Sequence, residues 1–247
     1  MFLPSKIVYK EIEMDHSDLS NYDEKCNIKF NPKNKEGVKE ICKKSLRFIE
    51  KSQLWNTRNT SYDVCLQVNY WIYGKLASIL GSDDTDNIEI TFGSFQLVGK
   101  NKMNTRAQRT YNERCYPNFN IFKEKDWEKG KQLYEYYVNY SYLFSMAQIY
   151  ADKCEFYEKI NEIIPIYKYF ESECSHGGGN CPDYYIKYKH LNPEKDLSKL
   201  KCYKQFQNER SLETEALAKV DSSNLPLVSQ AGGGGHGLSE HLADPQK

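Results

Sequence analysis

Cys65-Leu66-Gln67-Val68-Asn69-Tyr70-Trp71-Ile72-Tyr73-Gly74-Lys75-Leu76 is the stretch on which the reading of this chain turns. It lies in a segment from about Ser61 to Leu80, where Tyr62, Cys65, Leu66, Asn69, Tyr73, Leu76 and Leu80 recur at helical spacing. That spacing puts them on one face of a helix, and Gly81 follows as a C-cap. Upstream, from Glu36, the residues Val38, Ile41, Cys42, Ser45, Phe48 and Ile49 form a stripe of the same period. Two helices so close together predict a hairpin with Cys42 and Cys65 turned inward. Ahead of them, residues 1–35 are polar apart from an amphipathic opening at Ile7 to Ile12.

Downstream, Asp126 can cap a long helix from Trp127 to about Cys154, with Leu133, Tyr137, Tyr140, Phe144 and Ala147 on its core face. Another helix covers about Glu155 to Cys174, and Pro165, which has no N–H, must kink or split it. Cys181-Pro182 opens a further helix, with proline where its missing donor costs nothing. Pro193 begins the last, reaching about Glu209. Residues 81–120 read differently. Ser82 to Asn87 is a loop, Ile88 to Val98 alternates poorly, and 99–120 is mostly irregular, with Cys115 stapling it down. After Leu212, Ser222, Ser223, Pro226 and Gly232 to Gly235 make a polar stretch that cannot bury enough apolar area to fold. The expectation is an all-α fold: a single multi-helix domain at 1–211 braced by disulfides, with a long irregular insertion and a flexible C-terminal tail at 212–247.

The composition suits that fold, at 39% hydrophobic and 28% charged over 247 residues. Lys plus Arg equals Asp plus Glu at 34 each, and the basic residues are interspersed with acids. No overall field holds a polyanion, which argues against nucleic acid as a partner. The eight cysteines, Cys26, Cys42, Cys65, Cys115, Cys154, Cys174, Cys181 and Cys202, contain no CxxC and are widely spaced. Zinc and redox motifs need closer pairs, so disulfides in an oxidising compartment are the expectation, with pairing open. Reduced core cysteines in a cytosolic protein are the alternative. No signal peptide opens the chain, since Lys6 and Lys10 interrupt its start. No apolar run approaches the roughly 18–20 residues of a membrane span; the nearest, Tyr137 to Ala151, is broken by Asn139, Ser141, Ser145 and Gln148. The chain is thus either an excerpt of a longer protein or one exported by an unconventional route.

Chemistry-bearing motifs are few. His176-Gly177-Gly178-Gly179 matches an oxyanion-hole motif only superficially, because no GxSxG elbow accompanies it. Cys174, His176, Cys181 and His190 have an unusual spacing for a metal, and Asp83, Asp84, Asp86 and Glu89 lack the glycine and distal glutamate of a calcium loop. Phosphate-binding glycine loops are absent. No catalytic residue, no metal and no cofactor is therefore expected, and the protein is not read as an enzyme. Asn59-Thr60-Ser61 and Asn139-Tyr140-Ser141 are formal glycosylation sequons, the first in an accessible loop and the second on a buried helix face.

Three stretches together resemble the Plasmodium interspersed repeat family, and within it the vir proteins of Plasmodium vivax. The opening Leu3-Pro4-Ser5 with Tyr9-Lys10-Glu11 is similar to the family's LPS…FYxxL start. Cys65 to Leu76 is similar to its C-x-x-L-N-Y-W-L-Y-D-K-L, with Gly74 standing where the family usually has Asp. The third is W-x-x-x-K-x-L-Y-x-Y-x-x-N-Y from Trp127 to Tyr140, continued by Cys154, Ile164 to Tyr167, Cys174, Cys181 to Tyr185 and Cys202. The resemblance covers about residues 1–209. It implies a helical ectodomain exported by blood-stage parasites to the infected red cell, with roles in antigenic variation, immune evasion and adhesion. The implied partners are a host cell-surface protein and host antibodies, with no nucleic acid. Membrane attachment would come only through an anchor that family members usually carry after the linker and this chain lacks. The runner-up is an exported intracellular scaffold whose cysteines stay reduced. Recognition by such a protein falls on loops held by a scaffold, so Phe92, Phe95, Arg106, Arg109, Tyr111 and Arg114 in the 81–120 segment are the candidate contact residues, with the Cys174–Cys181 loop next.

Overall fold

A computed structural model of the chain describes residues 2–28, 33–52, 62–101, 115, 120–123, 126–175 and 180–208. In chain order it contains α1 (Pro4–Glu13), a 3-10 turn (Leu19–Tyr22), α2 (Lys35–Lys51), α3 (Val64–Leu80), α4 (Thr85–Asn101) and α5 (Asn120–Lys123). There follow α6 (Trp127–Ile149), α7 (Glu155–Asn161), α8 (Ile164–Ser175), α9 (Tyr185–Tyr188) and α10 (Pro193–Leu197). No strand occurs among the described residues, and the fold is all-α. The chain divides into a larger unit, Met1–Lys204, and a smaller one, Gln205–Lys247, of which residues 205–208 are described and helical.

α3 is the centre of the larger unit. Every residue from Val64 to Tyr73 is buried, as are Leu76, Ala77 and Leu80. The one-sided stripe read from the sequence is therefore too narrow: a helix apolar around its circumference is one surrounded by others. α1, α2, α4 and α6 all pack on it. α2 keeps the amphipathic form its sequence predicts, burying Val38, Ile41, Cys42, Ser45, Leu46 and Phe48 along one face. α6 runs past α1 and α3 and then carries α7 and α8. Its buried Tyr134 and Tyr137 meet Tyr184 and Tyr188 around the short α9, and buried Tyr136 packs on Tyr137 and Tyr140, so the second half of the core is largely aromatic.

The helix ends follow from local chemistry. Asn34 Oδ1 accepts from Gly37 N, Asp63 Oδ1 from Cys65 N and Leu66 N, and Asn192 Oδ1 from Glu194 N and Lys195 N, with Pro193 behind that last cap. Gly81, at φ +100°, stops α3 in a conformation that side chains resist. Pro165 splits its segment, since α7 ends at Asn161 and α8 starts at Ile164. Asp126 precedes α6 without capping it; its carboxylate instead accepts from Lys129 Nζ and Tyr169 OH.

Other boundaries correct the sequence reading. α6 ends at Ile149, short of Cys154. Cys181-Pro182 has no regular secondary structure, a turn follows at Asp183-Tyr184, and the helix comes only at Tyr185. The run after Pro193 breaks at Ser198–Leu200 before helix resumes at 201–208. The largest difference is α4, which occupies Thr85–Asn101 within the segment read as having no helical stripe. Ile88, Thr91, Phe92 and Phe95 are its buried face. Thr91 Oγ1 donates to Asn87 O and Ser94 Oγ to Thr91 O, so the polar residues that blurred the period satisfy themselves on their own helix.

Candidate recognition surface

The stretches that carry the family resemblance meet inside the molecule. Ser5, at the start of α1, is fully buried and bonded on every polar group. Its N–H donates to Asn139 Oδ1 at 2.9 Å, its Oγ accepts from Asn139 Nδ2 at 2.9 Å, and its carbonyl accepts from Gln67 Nε2 at 3.4 Å. Asn139 thus satisfies one of the free N–H groups at the head of α1, from a helix far along the chain. Nearby, Tyr134 OH donates to Asp63 O and accepts from Asp63 N, and Trp71 Nε1 donates to Glu13 Oε1. Trp127 stands edge-on to Tyr73 at 4.7 Å between centroids and lies over Gly74. At Ser5, Asn139 and the run Cys65 to Tyr73 these motifs are buried packing devices, closed to a partner in the folded chain.

All eight cysteines are paired: Cys26–Cys42, Cys65–Cys115, Cys154–Cys202 and Cys174–Cys181. Cys42 and Cys65, both turned inward, take partners from outside the α2–α3 hairpin and do not join each other. Cys115 is tied to the first turn of α3, which also receives the chain after residues 53–61. Asn120 Nδ2, just beyond, donates to Asp183 Oδ2 at 2.6 Å, and Asp183 follows the Cys174–Cys181 bridge. Asn180, buried inside that bridge, donates to Tyr169 OH, which donates in turn to Asp126. The Tyr169 hydroxyl is pushed up to about 12 by its bond to the Asp126 carboxylate, which that bond and Lys129 hold below the usual carboxylate range. Asn120 and Asp183 are therefore side by side, while Cys115 is pinned to α3 and Asn180 to α8.

Of the six candidate contact residues, Phe92 and Phe95 are buried on α4 and lie in the core, where helical periodicity and not loop exposure sets their direction. Arg106, Arg109, Tyr111 and Arg114 lie outside the described residues. So do His176 and the first sequon, 59–61. Asn139 of the second sequon is 4% exposed, with its amide engaged by Ser5, and is closed to glycosylation in the folded chain. Cys174 and Cys181 spend their sulfurs on each other, which removes two of the four ligands weighed for a metal, and Asp84 is engaged by Asn87 and Lys33. No group of three metal-ligating side chains is found among the described residues.

Charge on this fold is mostly internal compensation. Along α2, Lys39 and Lys43 face Asp23, Lys44 faces Asp15, and Arg47 and Lys51 clasp Asp18. Lys51 and Arg47 hold the Asp18 carboxyl down to about 2. The large exposed apolar side chains are spread over different elements, with Ile90 on α4, Ile149 ending α6 and Ile186 on α9. No helix among the described residues is long and apolar enough to cross a membrane.

A family model described as Plasmodium vivax Vir protein matches residues 3–241. No curated protein matches the chain, and no solved structure does.

Proposed function

The chain belongs to the Plasmodium vivax Vir family, a family of Plasmodium variant surface antigens, and on that premise we propose that it is a recognition protein and not an enzyme, exported to the infected red cell. It presents variable loops to a host cell-surface protein and to host antibodies, and so serves antigenic variation, immune evasion and adhesion. One observation supports this most: Cys65–Cys115 ties the residue that follows 102–114 to a helical core in which Ser5, Cys65 to Tyr73 and Asn139 are buried, and Cys174–Cys181 brackets 176–179 beside the Asn120–Asp183 bond. A scaffold of that kind tolerates changes in its loops while its packing stays constant. The reduced-scaffold alternative is disfavoured by the pairing of every cysteine at bonding geometry.

On this reading the segment carrying Arg106, Arg109, Tyr111 and Arg114 remains the first choice for contact, without Phe92 and Phe95. The test is a binding screen of the folded, oxidised chain against human red-cell, endothelial and immune receptors. A chimera carrying residues 102–114 from a non-binding relative should lose any partner found while its helical signal stays unchanged. A partner bound equally well by the reduced, alkylated chain would refute recognition by a disulfide-held surface.

A further inference from the structure

Three of the bridges join distant parts of the chain and have at least one sulfur in the core. Cys26 and Cys42 are buried, Cys65 and Cys115 are buried, and Cys202 is buried opposite Cys154. Cys174–Cys181 differs in kind. Its cysteines are only 7 apart in sequence, and both are half-buried. Moreover, the chain on either side is held without it. Tyr167 and Phe170 bury α8 against the core, and Tyr167 OH donates to Lys189 O at 2.6 Å. On the other side Asp183 is bonded by Asn120, and Tyr184 OH donates to Gly130 O at 2.6 Å.

We propose that Cys174–Cys181 is a thiol-exchangeable bridge that an external dithiol opens while the other three bridges and the helical fold persist. A thiolate of the dithiol attacks one cysteine sulfur, the S–S bond breaks, and the other cysteine leaves as a thiolate that takes up a proton. The second thiol of the reductant then displaces the mixed disulfide. Two electrons pass to the protein, leaving two cysteine thiols and one reductant disulfide. Access governs which bridge meets an attacking thiolate: Cys154 is half-buried but its partner Cys202 is buried, and in the other two bridges both cysteines are buried, so Cys174–Cys181 is the pair in which neither cysteine is buried. Once open, Cys174 and Cys181 are joined only through the backbone between them, while Asn180 still donates to Tyr169 OH. This chemistry holds whatever the chain binds.

The experiment is graded reduction of the native chain with dithiothreitol, alkylation, and mapping of the modified cysteines, with circular dichroism on the same samples. The expected result is alkylation of Cys174 and Cys181 at reductant concentrations that leave the other six cysteines unmodified and the helical signal unchanged. If another pair is modified first, or these two only together with loss of helicity, the proposal fails. A Cys174→Ser/Cys181→Ser variant should fold with the parent's helical signal and its remaining three bridges; a variant that does not fold overturns it as well.

Discussion

At Ser5 the test is a single deletion. Asn139→Ala leaves the buried Ser5 N–H and hydroxyl without their partner, and an unmatched buried polar group costs about 1–3 kcal/mol. Chemical denaturation should show that loss, whereas replacing the exposed Ser141 two positions on should leave the midpoint within error. Gly74 gives the opposite sign. It sits inside α3 with helical geometry, and an added Cβ would meet the Trp127 ring at 3.4 Å, an ordinary contact distance. Gly74→Ala is therefore expected to stabilise the chain by about 0.5–1 kcal/mol through the conformational freedom removed from the unfolded state. Neither role could be read from the sequence, although both residues stood in recognised motifs. Ser5 and Asn139 are 134 positions apart, and Asn139 was read there as a glycosylation sequon on a buried face.

Among the elements, α2 is the one whose anchoring titrates. The Asp18 carboxyl is depressed to about 2 by Lys51 and Arg47, and Asp23 is lowered by Lys39 and Lys43. A carboxylate lowered on folding stabilises the fold above its unfolded pKa of about 3.9, and that contribution is lost as pH falls through the folded value. Asp18→Asn should therefore be less stable than the parent at neutral pH, and the difference should shrink as pH is taken from about 4 to about 2. Melting temperatures of the two proteins across that range decide it. The periods of α2, α3 and α6 were legible because long apolar stripes leave little choice. α4 was missed for a definite reason: Thr91 and Ser94 look like breaks until their hydroxyls are seen bonding back to the helix.

On the scale of the whole molecule, the all-α class and the oxidised cysteines were legible, and the pairing was not. Pairing is a property of contacts: Cys65 meets Cys115 only because the chain returns to the first turn of α3 after α4. The separations of 50 for Cys65–Cys115 and 48 for Cys154–Cys202 exceed the 16 of Cys26–Cys42. In the chain-entropy account, serine replacement of either long-range pair should cost about 4 kcal/mol, against about 3 kcal/mol for Cys26–Cys42. Equilibrium unfolding of the double-serine variants would rank them, and equal costs would place the effect in native packing instead.

The burial of Cys65 to Tyr73 on all sides of α3 has a consequence for serology. Kinship is read from the inside of this protein, while any antibody meeting the native chain reads its outside. An antiserum raised against the peptide Cys65–Leu76 would thus be a gauge of unfolding: silent on the intact antigen, and strong on blots of the reduced and denatured chain.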